Sequence, residues 1–128
     1  MDPEIEVFGK RNPAMPFHPA VRAGDFIFVS GLVPRNEEGV LVSGEIEEQT
    51  RTILDAMRRV LETAGCGLED LVNVTAYLED SRDFGRYNDV FRQYFPQGRL
   101  ARTTVEARMV ISCKIEISGV AYCPAKSG

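Results

Sequence analysis

Three polar side chains stand where neither a plain core nor a plain surface pattern asks for them: Arg102, Glu116 and Asn88. Arg102 follows Pro96-Gln97-Gly98-Arg99-Leu100-Ala101 and opens a strand, so its guanidinium can project from a sheet edge. There it either meets solvent or holds a carboxylate through two parallel N–H···O bonds. Glu116 sits between Ile115 and Ile117 in mid-strand. It is either solvated beside Lys114 and Ser118 or covered by a partner. Covering it would raise its pKa from about 4.3, and a carboxyl so shifted can trade protons with substrate or water. Asn88 falls between Phe84 and Phe91 on an apolar helix stripe, and its amide needs either backbone or ligand partners. Ser30 closes the first strong strand before Gly31, as a strand-end residue or a hydroxyl near a site. His18, between Phe17 and Pro19, reads as a loop residue rather than a base.

Other chemistries lack their residues. There is no glycine-rich phosphate loop and no Ser-His-Asp order. His18 is the only histidine, which leaves no Cys/His zinc set. Cys66, Cys113 and Cys123 are odd in number and form no C-x-x-C pair. Cys113 and Cys123 fall on one predicted strand, roughly 33 Å apart at about 3.3 Å per residue, too far to bridge. All three are expected to be free thiols. The net charge of -4 argues against nucleic acid, and Arg58-Arg59 lies on a helix rich in glutamate. No apolar run nears the roughly 20 residues of a membrane span. Met1-Asp2-Pro3-Glu4 lacks the layout of a signal peptide, so the expected compartment is the cytoplasm.

The elements that must carry these residues follow from periodicity. With 44% hydrophobic and 27% charged residues, the chain reads as one globular domain, 1–128, not a disordered one. A strand is predicted over Asp25 to Ser30, then a turn at Asn36-Glu37-Glu38-Gly39 and a short strand Val40-Leu41-Val42. Ile46, Ile53, Leu54, Met57, Val60, Leu61 and Ala64 recur at helical steps, with Glu45, Glu47 and Glu48 at the start and Gly65 as the residue that ends the helix. Leu71 to Leu78 alternates, with Val72, Val74, Ala76 and Leu78 on one face. Asp80 or Ser81 caps a second helix with the stripe Phe84, Tyr87, Phe91, Tyr94 and Phe95, which Pro96 stops. Thr103 to Met109 and Cys113 to Cys123 complete the strands. Alternation puts Thr104, Glu106 and Arg108 on one face of the first, and Ile115, Ile117, Gly119 and Ala121 on one face of the second.

Two amphipathic helices can cover only one face of such a sheet. The other face carries Tyr77, Val120 and Tyr122 among polar residues. A half-apolar uncovered face predicts a partner surface, most simply a symmetric homo-oligomer.

The segments then resemble, in order, the YjgF/Rid family. Pro16 to Asp25 is similar to its G-P-Y-S-x-A-V-x-A-G entry segment, and Phe26-Ile27-Phe28-Val29-Ser30-Gly31 to its hydrophobic-V-S-G-Q strand. Gln49-Thr50-Arg51 resembles its Q-T-R. Ala64-Gly65 with Leu68 to Thr75 resembles A-G-x-x-L-x-D-V-V-K-V-T. Tyr87 to Phe91 with Tyr94-Phe95 resembles V-N-x-V-Y-x-x-Y-F. Ala101 to Glu106 resembles P-A-R-T-T-V-E-V, and Lys114 to Ile117 resembles V-E-I-E-A-I-A. The resemblance implies a chorismate-mutase-like α+β subunit, a mixed sheet with two helices packed on one face, and a homotrimer with three clefts between subunits. RidA-like members hydrolyse imines and enamines of 2-oxo acids, such as 2-aminoacrylate and 2-iminobutanoate, without metal or organic cofactor. Carried over, Arg102 would hold the substrate carboxylate and Glu116 would activate the attacking water. Thr104 would touch substrate, and Ser30, Asn88 and Phe17 would line the cleft.

Departures from the pattern bear on the pocket. Phe17 lacks the family tyrosine's phenol, and Met15, His18, Leu32 and Ser118 replace its usual Gly, Ser, Gln and second Glu. The loop between Glu106 and Lys114 is about one residue short. Arg22 to Phe26, Asp83-Phe84-Gly85 and Ala121-Tyr122 with Pro124 resemble 2-aminomuconate deaminases of the same family. A dicarboxylate of that kind would need a second cation, Arg108 or Lys114. Two other readings stand beside the deaminase: a non-catalytic binder of small carboxylates, and the RNA-directed activity some relatives' labels carry, which the acidic charge opposes.

Overall fold

The computed structural model describes residues 5–125, so the reading of Met1 to Glu4 lies outside the described residues. Its strands are Ile5–Phe8 (β1), Ala20–Ala23 (β2), Phe26–Leu32 (β3), Leu71–Leu78 (β4), Ala101–Glu106 (β5) and Ile115–Tyr122 (β6). Its helices are Ile46–Thr63 (α1) and Phe84–Tyr94 (α2). The strands form one sheet in the order β1-β2-β3-β6-β4-β5. Neighbours are antiparallel except β4 and β5, whose parallel pairing requires the crossover that α2 supplies. The fold is the expected α+β arrangement, with both helices on one face.

The core lies between that face and the helices. Ile27, Val29, Val74, Ala76, Leu78, Ile115, Ile117 and Ala121 point up from the sheet. Ile46, Ile53, Leu54, Met57 and Leu61 of α1 and Tyr87 and Phe91 of α2 point down. Each large apolar side chain so buried contributes about 1.5–3 kcal/mol. Gly65 ends α1 as expected: its φ of +79° suits a residue without Cβ, and its N–H donates to the Glu62 carbonyl at 3.0 Å. Gln49, nearly fully buried, ties the start of α1 to the start of β6. Its Nε2 donates to the Gly44 carbonyl at 3.1 Å, and its Oε1 accepts from the Lys114 N–H at 2.8 Å.

Several expectations need correction. The strands β1 and β2 were not predicted; they are four residues each, and β2, Ala20-Val21-Arg22-Ala23, hides a buried arginine in its alternation. Arg22 is held there by the Cys123 carbonyl at 2.6 Å and the Gly24 carbonyl at 3.2 Å. Val40-Leu41-Val42 is not a strand; one bridge joins Leu41 to Arg35, and the Asn36 side chain closes the turn by accepting from the Glu38 and Val40 N–H groups. Val72 is 40% exposed, not in the core, because the β4–β6 register shifts between Leu71 and Asn73 and turns Leu71 inward instead. The predicted helix cap is a short 3₁₀ turn, Ser81–Asp83, capped by Asp80, with α2 beginning one step later. Strand β5 ends at Glu106, where the Ala107 N–H donates to the Leu78 carbonyl and the chain departs.

The thiol expectation also fails for two of three cysteines. Cys66 and Cys123 form a disulfide with Cα atoms 6.3 Å apart, while Cys113 is free and buried. The bond joins the turn after α1 to the residue after β6. Fifty-seven positions separate its ends, so only the tertiary fold brings them together.

The opposite sheet face is uncovered and half-apolar, as predicted, with Glu116 and Ser118 among its residues. Ile5, Val7, Phe26, Phe28, Val105 and Tyr122 stand there 41–50% exposed, with the Phe26 and Tyr122 rings edge to face at 5.4 Å.

Breaking the disulfide is expected to cost about 2–4 kcal/mol, a fall in Tm of roughly 8–16 °C for a chain of this size. Thermal scans with and without a phosphine reductant measure this. Cys66→Ser should start at the lower Tm and ignore the reductant. A wild-type Tm unmoved by reductant, with three titratable thiols in the denatured protein, would show the pair to be unbonded.

Candidate functional site

The crossover β4-α2-β5 builds the first half of the site. In the parallel register Arg102 pairs with Val74 and Thr104 with Ala76, so both side chains rise on the helix-covered face. There α2 presents Phe84, Tyr87 and Phe91, at the steps that bring residues onto one helix face. The Arg102 guanidinium lies 4.7 Å from the Phe91 ring centre, 5.2 Å from Tyr87 and 5.7 Å from Phe84. Each ring attracts the cation through its quadrupole, by about 0.5–2 kcal/mol. Among the described residues Arg102 has no carboxylate partner. It is a half-buried cation held by aromatic faces.

Thr104 is tied to the same cluster: its Oγ1 and the Tyr87 Oη are 3.0 Å apart, and either can donate. Tyr87 is fully buried, and that burial pushes its phenol above the ordinary 10, against the opposing pull of the Thr104 bond and the Arg102 charge. Asn88, the next residue on α2, is half-buried.

The second half lies on the other face. Glu116 pairs with Tyr77 across β6 and β4, three residues from Val74 and therefore on the uncovered side. Its carboxylate lies flat against Gly31, and a Cβ at that position would collide with Oε2. Gly31 lies within the register shift between Val29 and Leu32, and its missing side chain lets β3 pass close to Glu116. Ser30 is anchored at both ends: its hydroxyl donates to the His18 carbonyl at 2.7 Å and its N–H to the Pro19 carbonyl at 2.9 Å. These bonds hold the Phe17–Pro19 segment at the end of β3, with the Phe17 ring 53% exposed. An open groove of about 420 Å³ runs over this face, lined by Gly31, Tyr77, Arg108, Met109, Glu116 and Ser118 among others.

The structure therefore brings Arg102 and Thr104 together around the Tyr87 ring, with Asn88 next to Tyr87 on α2, and separately sets Glu116 against Gly31, the residue after Ser30. It does not bring the two groups together within one subunit, because the sheet lies between them. Phe84, Tyr87 and Phe91 were read as a core stripe and not as a cation cage. Their spacing was visible, but the strand that would carry a cation under them was not. The Arg108 position also differs from its expectation: past the end of β5 the alternation no longer holds, and Arg108 lines the Glu116 groove rather than standing beside Thr104. Lys114, the other candidate second cation, lines a different hollow with Gln49, Glu79 and Cys113. Among the described residues the one grouping of metal-ligand atoms is Cys66, Asp70 and Cys123, two of which are taken up by the S–S bond.

A mixed sheet backed by two helices, with a caged arginine on its edge strand, defines a class of small α+β subunits. The chain belongs to the YjgF/Rid family: the family model described as Endoribonuclease L-PSP matches residues 9–123. It is 39% identical over 112 residues to a RutC family protein of Pyrococcus horikoshii, covering 86% of this chain and 89% of that one. It is 34% identical over 116 residues to the 3-aminoacrylate deaminase RutC of Acinetobacter baylyi, covering 89% and 92%. A solved Thermotoga maritima structure, described as a candidate endoribonuclease, superposes with a TM-score of 0.83 at 35% identity over 100% of both chains.

Tyr87→Phe keeps a ring over Arg102 and removes only the hydroxyl. It is expected to cost about 1 kcal/mol in urea unfolding. A loss above about 3 kcal/mol would mean that the ring itself had moved. The same variant should delete a late component from the ultraviolet tyrosine titration. Because the folded-state pKa is the higher one, the phenol's contribution to stability is complete below about pH 10 and is lost as pH rises through the folded value.

Proposed function

We propose that the protein is a hydrolytic deaminase of reactive imines and enamines of 2-oxo acids, of the 2-aminoacrylate and 2-iminobutanoate type. It acts in the cytoplasm as a homotrimer whose sites lie between subunits. The observation that carries this reading is the caged guanidinium of Arg102, a cation without an ion-pair partner among the described residues. The name of the Acinetobacter relative, a deaminase of an enamine acid, supports the same chemistry.

In this reading the substrate carboxylate docks on Arg102 through two parallel hydrogen bonds. Thr104 and Asn88 flank it from the same subunit. A neighbouring subunit contributes Glu116, with Ser30 and Phe17 lining the cleft. Glu116 accepts a proton from a water molecule as the water oxygen adds to the imine carbon. The nitrogen takes up a proton, the carbinolamine collapses to the ketone, and ammonia leaves. The balance is R–C(=NH)–COO⁻ + H₂O → R–CO–COO⁻ + NH₃. An enamine first gains a proton on its β-carbon and so enters as the imine. Because an imine is already electrophilic, fixing it beside an oriented water supplies most of what the step needs. Arg102 and Glu116 occupy opposite faces of one sheet, so a substrate that touches both must lie between two copies. The apolar uncovered face is the surface on which those copies would pack.

The test is hydrolysis of 2-aminoacrylate generated in place, scored as acceleration over the spontaneous rate. Arg102→Ala and Glu116→Gln should each lower kcat/KM on the order of 100-fold or more. Co-expressed in one cell, the two variants should regain about a quarter of wild-type activity, since one ordered subunit pair in four then has both groups intact. No recovery would place both residues' roles within one subunit or outside catalysis. Ligand binding with no wild-type acceleration would make the protein a carboxylate binder.

A further inference from the structure

Resting on the deaminase reading, we infer that Tyr87 is a positioning residue: its hydroxyl donates to Thr104 and so fixes the Thr104 hydroxyl as a hydrogen-bond donor toward the carboxylate held by Arg102. The bond joins two hydroxyls, Tyr87 Oη and Thr104 Oγ1, 3.0 Å apart, and either oxygen can donate or accept. Burial decides the direction. Tyr87 is 0% exposed, so its hydrogen has no solvent to turn to. Among the described residues Thr104 Oγ1 is the one hydrogen-bond partner of Tyr87 Oη. The Arg102 guanidinium over the ring carries donors only and accepts nothing. A phenol hydrogen left without an acceptor there is costly, whereas Thr104, half-buried on the edge strand β5, can place its own hydrogen elsewhere. The arrangement of least cost has Tyr87 donating to Thr104. Burial also holds the phenol above its ordinary 10, so that hydrogen stays in place through neutral pH.

This direction leaves Thr104 with one hydrogen to give. Arg102 and Thr104 are alternate residues of β5, on one face and roughly 6.6 Å apart along the strand. A carboxylate held by Arg102 comes within reach of that hydrogen. The anchor then offers donors alone, from the guanidinium and from Thr104, and donors alone suit an anion. Without the phenol, the Thr104 hydroxyl is free to rotate and to accept as well as donate. Tyr87 stands where the family pattern has Val, and Phe91 where it has Tyr. The relay therefore belongs to this chain rather than to the pattern it matches.

The test is a double-mutant cycle on Tyr87→Phe and Thr104→Val, read as the calorimetric Kd for 2-oxobutanoate and as kcat/KM for 2-aminoacrylate generated in place. Each single substitution should weaken 2-oxobutanoate roughly 3- to 10-fold and raise KM more than it lowers kcat. The double variant should bind no more weakly than Thr104→Val alone, because the phenol acts only through that hydroxyl. Thr104→Ser, which keeps the hydroxyl, should bind close to wild type and remain sensitive to Tyr87→Phe. Stability should move differently. Thr104→Val strands the buried phenol and should lower Tm, and adding Tyr87→Phe should return part of that loss while the Kd stays where Thr104→Val set it. A merely structural tyrosine would move Tm and Kd together. Thr104→Ala serves in the cycle if the valine variant does not fold.

Additive losses, or a Tyr87→Phe variant with the Kd and KM of wild type, overturn this inference and leave the deaminase reading standing. If wild type binds 2-oxobutanoate but accelerates no imine, the deaminase reading falls. The affinity cycle then decides Tyr87 alone: non-additive losses uphold the relay, and additive ones overturn it. If wild type hydrolyses the imine but binds 2-oxobutanoate too weakly to measure, the kcat/KM cycle decides in the same way. If wild type neither binds nor reacts, no carboxylate reaches Thr104 and both readings fall.

Discussion

The guanidinium of Arg102 against the aromatic face of α2 is the contact around which the edge of this molecule is organised. A charged group on the helix-covered side of a sheet costs desolvation free energy unless something compensates it. Here three rings compensate it in part, at 4.7–5.7 Å, and none of them neutralises it. That arrangement fixes other features. The rings must come from one helix face, so Phe84, Tyr87 and Phe91 recur at three and four residues. The helix must cross over the strand that carries the arginine, which makes β4 and β5 parallel in an otherwise antiparallel sheet. Tyr87 must bury its hydroxyl to present its ring, and Thr104, two residues along β5, supplies the hydrogen bond that burial demands.

The same topology creates a constraint it cannot satisfy alone. Side chains alternate across a strand, so the register that lifts Arg102 and Thr104 toward α2 sends Glu116, Tyr77 and Ser118 to the other side. Within one subunit the cation and the carboxylate are insulated from each other by the sheet. The uncovered side is also where Ile5, Val7, Phe26, Phe28 and Tyr122 stand exposed. Under the proposed reading the association that hides the apolar face is also the association that completes the site.

Much of this was legible in the sequence, and the failures share a cause. The stripe of α1, the alternation of β6 and the stop at Pro96 are local patterns, and they fold as read. So does the position of Arg102 at the start of a strand. What sequence reading missed depends on distant residues. The β1 and β2 strands are short and gain their hydrogen bonds only by joining the edge of β3. The Val72 side chain is turned out by a bulge that exists because β6 lies alongside. Cys66 and Cys123 are separated by β4, α2, β5 and β6 and meet only in the finished fold. The aromatic cage was read as ordinary core because a helix stripe looks the same whether a leucine or an arginine lies beneath it.

The departures from the family pattern fall mainly on one side of the molecule. Phe17, His18 and Leu32 cluster around the end of β3, where Ser30 bonds to the His18 carbonyl, and Ser118 lies in the Glu116 groove. The caged Arg102 and Thr104 keep the pattern, whereas Tyr87 and Phe91 stand where it has Val and Tyr. The loop after β5 lies on the same side as the departures around β3 and Ser118. It leaves the sheet at Ala107, and the next residue turns from the face of Thr104 to the groove of Glu116.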